Sequence, residues 1–244
     1  MNNTQLIHDF QNNKQGKHVI IEGTQALKHA VRFGAEIEHI ITCDISELNK
    51  LVDELAPDIS PMISSKILEV DDGTFQKISP KNHRTRVVTL AKKQNYLLKD
   101  IDKNKPIIFL EDPKDLENIG AVIRVSAAAD AGAVITDAQA SVWHPAVVRG
   151  GAGLQYALPV LNSTLTEVIN YFPKRKIISL DPEGEDITNE NIENDCILIF
   201  GTERYGIKPE TLKKSDKVVR LSMKPGVSSL NLATSVSATL YLIK

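Results

Sequence analysis

Cys196-Ile197-Leu198-Ile199-Phe200-Gly201-Thr202-Glu203-Arg204-Tyr205-Gly206 is the stretch that decides the fold class. Its first half is apolar without alternation, the pattern of a strand covered on both faces. Strands of that kind belong to parallel sheets sandwiched between helices. Gly201 closes the run, and a residue without Cβ at a strand end lets a ligand reach main chain. Glu203 follows in the loop, where its plainest role is a solvated charge.

Moving outward, the same texture recurs. Residues 106–110 (Pro-Ile-Ile-Phe-Leu), 133–135 (Ala-Val-Ile), 176–180 (Lys-Ile-Ile-Ser-Leu) and 218–221 (Val-Val-Arg-Leu) are further apolar runs. Helical stretches separate them. One is expected from Ile119 to Ala131 and closed by Gly132. Another is expected from about Ser229, with Leu232, Val236, Leu240 and Ile243 on one apolar stripe and Ser228 or Ser229 as its cap. Short buried strands alternating with helices predict an α/β fold with a C-terminal parallel sheet.

The N-terminal part carries its own pattern. Strands are expected over 18–22, 40–43, 67–70 and 86–90. Helices fall between them, one over Ile45 to Leu55 and one opened by Asp71 or Asp72. This reads as a small α/β domain over residues 1–92, a basic linker over 93–105, and a larger domain over 106–244.

Composition narrows the function classes. The chain has 244 residues and a net charge of −2, so no whole-molecule basic field exists. Nucleic-acid affinity would have to come from a local patch. One exists: Lys77, Lys81, Arg84, Arg86, Lys92, Lys93, Lys99, Lys103 and Lys105 face only Asp100 and Asp102 in that interval. Its bland reading is a solvated linker, and its functional reading is a phosphate contact. Cys43 and Cys196 stand alone and read as reduced core residues. No Cys/His spacing suits zinc, so no metal is expected. The N-terminus lacks a signal-peptide layout and no run reaches membrane-span length, so a cytoplasmic protein without membrane contact is expected.

Three further segments carry polar groups at strand ends, where ligands of open α/β sheets bind. Leu110 runs through a polar loop to Asn118 and on to Arg124. Asn118 can cap the helix. Arg124 lies three or four positions from Gly120, Ala121, Ala127 and Ala128, a lane of small residues beside a long cation. Arg149-Gly150-Gly151-Ala152-Gly153 reads as a flexible turn and fits neither the dinucleotide fingerprint nor the P-loop. Arg220 to Ala233 passes through Pro225-Gly226 into Ser228-Ser229-Leu230-Asn231, where free helix-start amides suit an anion.

Taken in this order, the segments resemble the SpoU/TrmH branch of the SPOUT methyltransferases. Asn118-x-x-Ala121-x-x-Arg124 looks like the first motif, Phe200-Gly-x-Glu203-x-x-Gly206 the second, and Ser229-Leu230-Asn231, six residues beyond Met223, the third. The likeness is close over 106–244. Ile21-Glu22-Gly23 and the Phe75 to Pro80 stretch are similar to an L30e-like substrate-binding domain. Arg204 after the second-motif Glu, Pro225 before Gly226, and Gly151 depart from the family pattern.

The resemblance implies a trefoil knot in the C-terminal domain, a homodimer, and S-adenosylmethionine-dependent 2′-O-methylation of a ribose in ribosomal or transfer RNA. It implies catalytic roles for Arg124, Asn118, Glu203, Ser229 and Asn231. It places S-adenosylmethionine against Gly201, Leu221, Met223 and Leu230. Lys81, His83, Arg84, Arg86 and Arg149 are the residues expected to meet RNA. The competing expectation is an RNA-binding protein on the same fold without activity.

Overall fold

The computed structural model describes residues 3–12, 16–79, 86–202 and 205–243. The chain divides into two compact units. Residues 1–94 and 152–157 form one, and residues 95–151 and 158–244 form the other. Residues 95–105, read from the sequence as part of a linker, thus belong to the second unit. Ile101 is buried there, and the buried Arg175 guanidinium donates to the carbonyls of Asp102 at 2.9 Å and Lys105 at 2.7 Å.

The first unit runs α1 (Asn3–Gln11), β1 (His18–Glu22), α2 (Thr24–Arg32), β2 (Ile37–Thr42), α3 (Ile45–Leu55), α4 (Ser60–Ile63), β3 (Ile67–Glu69), α5 (Asp72–Ile78) and β4 (Val87–Lys92). Its sheet has the order β1-β4-β2-β3. β4 is antiparallel to both β1 and β2, and β3 is parallel to β2. α3 starts where expected because Asp44 accepts from the Glu47 amide, and α5 because Asp71 accepts from the Thr74 amide. Residues 152–157 join this unit through the Tyr156 hydroxyl, which donates to the Lys92 carbonyl at 2.8 Å.

The second unit runs β5 (Ile107–Leu110), α6 (Leu116–Ala128), β6 (Ala133–Thr136), α7 (Pro145–Gly151), β7 (Val160–Asn162), α8 (Leu165–Tyr171), β8 (Ile177–Asp186), β9 (Ile197–Phe200), α9 (Pro209–Leu212), β10 (Lys217–Arg220) and α10 (Leu232–Leu242). The sheet is parallel throughout, in the order β10-β8-β9-β5-β6-β7. β5 and β9 occupy its centre and all eight of their residues are buried, as an unalternating apolar run requires. The order reverses between β5 and β9, which makes a crevice at their carboxyl ends. Among the described residues no helix is long and apolar enough to cross a membrane.

Several local expectations need correction. α6 begins at Leu116, not Ile119, because Asp115 caps it by accepting from the Glu117 and Asn118 amides. It ends at Ala128, not on Gly132. The left-handed residue is Asp130, with φ of 58°, and the Ala131 amide reaches back to the Ser126 carbonyl. Gly132 serves packing instead: an added Cβ would lie 3.0 Å from the Lys105 side chain. The Arg149-Gly150-Gly151 stretch is not a free turn but the end of α7, packed on α6. A Cβ on Gly120 would lie 2.7 Å from the Gly150 Cα and 2.5 Å from the Val147 carbonyl oxygen. α10 begins at Leu232, and its cap is Asn231 rather than Ser228 or Ser229.

Candidate active site

Three strand ends in the second unit converge on one cavity of about 400 Å³. Leu180, Asp181 and Pro182 come from β8, Phe200 and Gly201 from the end of β9, and Arg220 and Leu221 from the end of β10. Met223, Ser228, Ser229, Leu230 and Leu232 extend the wall, with Thr202, Gly206 and Ser235. Gly201, Leu221, Met223, Ser229 and Leu230, singled out from the sequence, are therefore brought together.

Each wall segment is fixed by its own chemistry. After Gly201 the chain folds into a tight loop in which Thr202 and Gly206 exchange amide-to-carbonyl bonds at 3.1 and 3.0 Å. Gly206 has φ of 66°, a left-handed conformation that glycine tolerates without strain. It sits so close that a Cβ on Gly201 would lie 2.2 Å from the Gly206 carbonyl oxygen. The strand-end glycine thus serves the loop's own backbone as well as lining the cavity. Glu203 and Arg204 lie outside the described residues.

The far end of that loop is held by a residue the sequence reading passed over. Glu111, directly after β5, is only 4% exposed. One carboxylate oxygen accepts from the Lys208 amide at 2.7 Å and the other from the Thr211 hydroxyl at 2.6 Å. A buried carboxylate with both oxygens engaged is a clamp, here on the start of α9. The available signal was an acid placed immediately behind an apolar strand.

β8 continues past Leu180 in a way its apolar run did not announce. Its pairing with β10 shifts between Val218 and Val219, so Ser179 and Glu185 oppose adjacent residues. The intervening residues bulge away from β10, and Leu180, still paired with Phe200 of β9, supplies one cavity wall with Asp181 and Pro182. Arg220 donates to the Gly184 carbonyl at 2.7 Å, and the Ser222 hydroxyl donates to Asp186. That bond, with those from Thr188, holds the Asp186 carboxyl down at about 2.

Asn231 joins two motif segments. Its Oδ1 accepts from the Ala233 and Thr234 amides, capping α10, while its Nδ2 donates to Asn118 Oδ1 at 3.1 Å. Asn118 stands half-buried in the first turn of α6. Arg124 is exposed on the same helix and has no hydrogen-bond or ion-pair partner among the described residues. It is not among the cavity-lining residues.

The residues expected to meet RNA fare differently. Lys81, His83 and Arg84 lie outside the described residues. Arg86 is placed among acids and a thiol. Its Nε donates to Cys43 Sγ at 3.2 Å, and Glu47 and Asp72 lie 3.8 and 3.9 Å from its guanidinium. Arg149 is exposed in the last turn of α7.

An α/β sheet with an order reversal, and a cavity built from the loops behind β8, β9 and β10, define a class of ligand-binding α/β protein. The family follows from comparison: residues 105–241 match the SpoU rRNA Methylase family, and the chain belongs to it. The chain is similar to a 23S rRNA (adenosine(1067)-2′-O)-methyltransferase from Streptomyces laurentii, 26% identical over 55% of this chain and 52% of that protein. It is also similar to the 23S rRNA (guanosine-2′-O-)-methyltransferase RlmB of Haemophilus ducreyi, 27% identical over 80% of this chain and 83% of that one. The chain spans 52 to 60% of the length of several curated relatives it matches. Among solved structures, the SpoU methyltransferase AviRb of Streptomyces viridochromogenes, in complex with AdoMet, superposes with a TM-score of 0.79. That likeness holds over 98% of this chain and 96% of AviRb at 20% identity, and shows a shared fold.

Proposed function

We propose that the chain transfers a methyl group from S-adenosylmethionine to a ribose 2′-hydroxyl of RNA, with ribosomal RNA as the substrate class. The cavity carries this reading. Its wall joins segments of the second and third motifs, and the Asn231–Asn118 bond ties the third motif to the first. The named activities of the relatives support the same chemistry.

The residues present suit the cofactor. A cavity of about 400 Å³, walled by Leu, Met and Phe side chains with a few hydroxyls, falls within the range of small-molecule sites. Gly201, Leu221, Met223 and Leu230 would hold the cofactor. Bound there, S-adenosylmethionine supplies a methyl group already activated by its sulfonium. The protein's own part is then orientation and handling of charge. Arg124 is a guanidinium that stays protonated, so it acts as a cation toward RNA phosphate and the developing alkoxide, not as a base. Asn118 and Asn231 fix the start of the helix that carries it, and Ser229 and Glu203 complete the polar set.

The trefoil knot and the homodimer belong to this proposal. That Gly201, Thr202 and Gly206 line one cavity with residues of the 220–232 segment supports the first. The four-stranded unit is read as the part that holds RNA, together with Arg149. A cytoplasmic setting, alongside ribosomal RNA, goes with the same reading.

The test is transfer of labelled methyl from S-adenosylmethionine to unmodified ribosomal RNA, followed by alkaline digestion. A 2′-O-methylated position resists cleavage. Label in alkali-resistant dinucleotides is expected for wild type. Arg124→Ala should lose most of it, and Arg124→Lys should do little better, because a point charge does not reproduce a planar fork. Cofactor binding with no transfer to any ribosomal or transfer RNA would overturn the activity. Undiminished transfer by Arg124→Ala would overturn the role of Arg124.

A further inference from the structure

Among the described residues the cavity wall contains two charged side chains, Asp181 and Arg220, and they differ in how they are committed. Arg220 is spent on the protein: it donates to the Gly184 carbonyl and pins the bulge of β8. Asp181 is only half committed. Its Oδ1 accepts from the Glu183 amide at 3.0 Å, a turn that fixes the carboxylate plane. Its Oδ2 has no hydrogen-bond partner among the described residues. That oxygen faces the loop across the cavity, lying 3.8 Å from where a Cβ on Gly206 would stand.

An acceptor-only group on a half-buried cavity wall, beside Leu180, Phe200 and Leu221, lacks full hydration and gains from a donor. The ligand must therefore bring O–H or N–H groups to this wall. The acid also stands just past the end of the apolar part of a parallel strand. At that place in dinucleotide-binding sheets an acid takes up the hydroxyls of a ribose. We propose that Asp181 is a cofactor-binding residue whose Oδ2 accepts from the ribose hydroxyls of the adenosine half of S-adenosylmethionine.

The proposal rests on the reading of the cavity as the S-adenosylmethionine site, and it adds a carboxylate contact to a site lined otherwise by apolar groups, main chain, a few hydroxyls and the committed Arg220. It also gives the bulge of β8 a purpose. Without the shift between Val218 and Val219, Asp181 would stay in the ladder with its neighbours. With it, residues 180–182 turn into the cavity wall. The shape is maintained by Gly184, where a Cβ would lie 2.6 Å from the Val218 carbonyl.

Calorimetric titration of the full chain with S-adenosylhomocysteine and with its 2′-deoxy and 3′-deoxy forms tests the contact without any need for turnover. Wild type should bind S-adenosylhomocysteine, and removal of the contacted hydroxyl should weaken binding about ten-fold or more, the usual size for a hydrogen bond to a charged group. Asp181→Ala should bind S-adenosylhomocysteine as weakly as wild type binds the deoxy form. It should then show no further loss on the deoxy form. Asp181→Asn, which keeps the turn acceptor, should lie between the two. A merely structural role predicts additive losses instead, with Asp181→Ala still discriminating against the deoxy form by the full factor. Additive losses, or unchanged affinity in Asp181→Ala, overturn the proposal while leaving the cavity reading intact. Failure of wild type to bind S-adenosylhomocysteine at all overturns both.

Discussion

Asn231 shows how one side chain can serve stability and chemistry at once. Its carbonyl oxygen caps α10 and its amide group reaches Asn118 on α6. Two substitutions separate these duties. Asn231→Ser keeps a good cap but has no donor long enough for Asn118, so it should melt within a few degrees of wild type and lose methyl transfer. Asn231→Ala should lose transfer and also about 1 kcal/mol of stability, the usual worth of a helix cap. Thermal melts and methyl-transfer assays on both variants check this. Full transfer by the Ser variant would reduce Asn231 to a cap. The sequence pointed to Asn231 through motif resemblance, but assigned the cap to its serine neighbours. Ser, Thr, Asp and Asn are all good caps, so three candidates within four residues, Ser228, Ser229 and Asn231, leave the choice to tertiary packing, here the pull of Asn118.

At the scale of elements, the sequence was legible wherever an apolar run met a single unambiguous stop. β1, α3, α5, β5 and β9 fall within about a residue of their expected bounds for that reason. It misled where glycine had a reason other than backbone freedom. Gly120 and Gly150 let α6 and α7 touch backbone to backbone: the small-residue lane around Gly120 allows such an approach by another helix, but Gly150 reads locally only as a flexible turn. Gly120→Ala should therefore be far more costly than a helix-favouring substitution usually is. The new Cβ would meet main chain, which does not give way like a flexible side chain, and a loss of about 1–3 kcal/mol is expected. A melting curve shifted upward, as Gly→Ala gives in an open helix, would refute the close packing. The bulge of β8 was equally hidden, since Asp181-Pro182-Glu183-Gly184 reads locally as a loop. Its lower edge carries a measurable mark in Asp186, whose carboxyl is held at about 2, first by the Ser222 hydroxyl and then by Thr188. A depressed carboxyl favours the folded loop above its ordinary range, near 3.8, and that support disappears as pH falls through about 2. Carboxyl chemical shifts followed by NMR should place the midpoint near 2 in wild type and higher in Ser222→Ala. Equal midpoints would mean that Ser222 does not anchor this edge in solution.

For the whole molecule, counting charges along the chain is a weaker guide than finding their partners. Of the basic residues between Lys77 and Lys105, Lys92 pairs with Glu36, Lys105 with Asp130, and Arg86 with Glu47 and Asp72. Lys93 donates to the Gly16 carbonyl. A patch drawn from composition is thus partly neutralised by acids distant in sequence. Apolar surface is the reverse case, because the fold leaves some of it without cover. α10 has no charged residue from Leu232 to Leu242. Leu232, Val236 and Leu240 are buried as expected, with α6 against the helix, yet Tyr241 is 58% and Leu242 52% exposed. Val227 at 48% and Leu230 at 40% add to the exposed apolar surface of the segment leading into α10. A helix apolar on both sides is one that is covered on both sides, and the commonest cover in soluble proteins is a second copy about a two-fold axis. Wild type should therefore sediment as a dimer. Tyr241→Glu with Leu242→Glu should sediment as a monomer and keep its circular dichroism spectrum, since more than half of each residue's surface is exposed. The family resemblance implies an active site at the subunit contact, so under the proposed reading the variant should also lose methyl transfer. A wild-type monomer that retains activity would refute the dimer, and a dimeric double variant would move the interface away from α10.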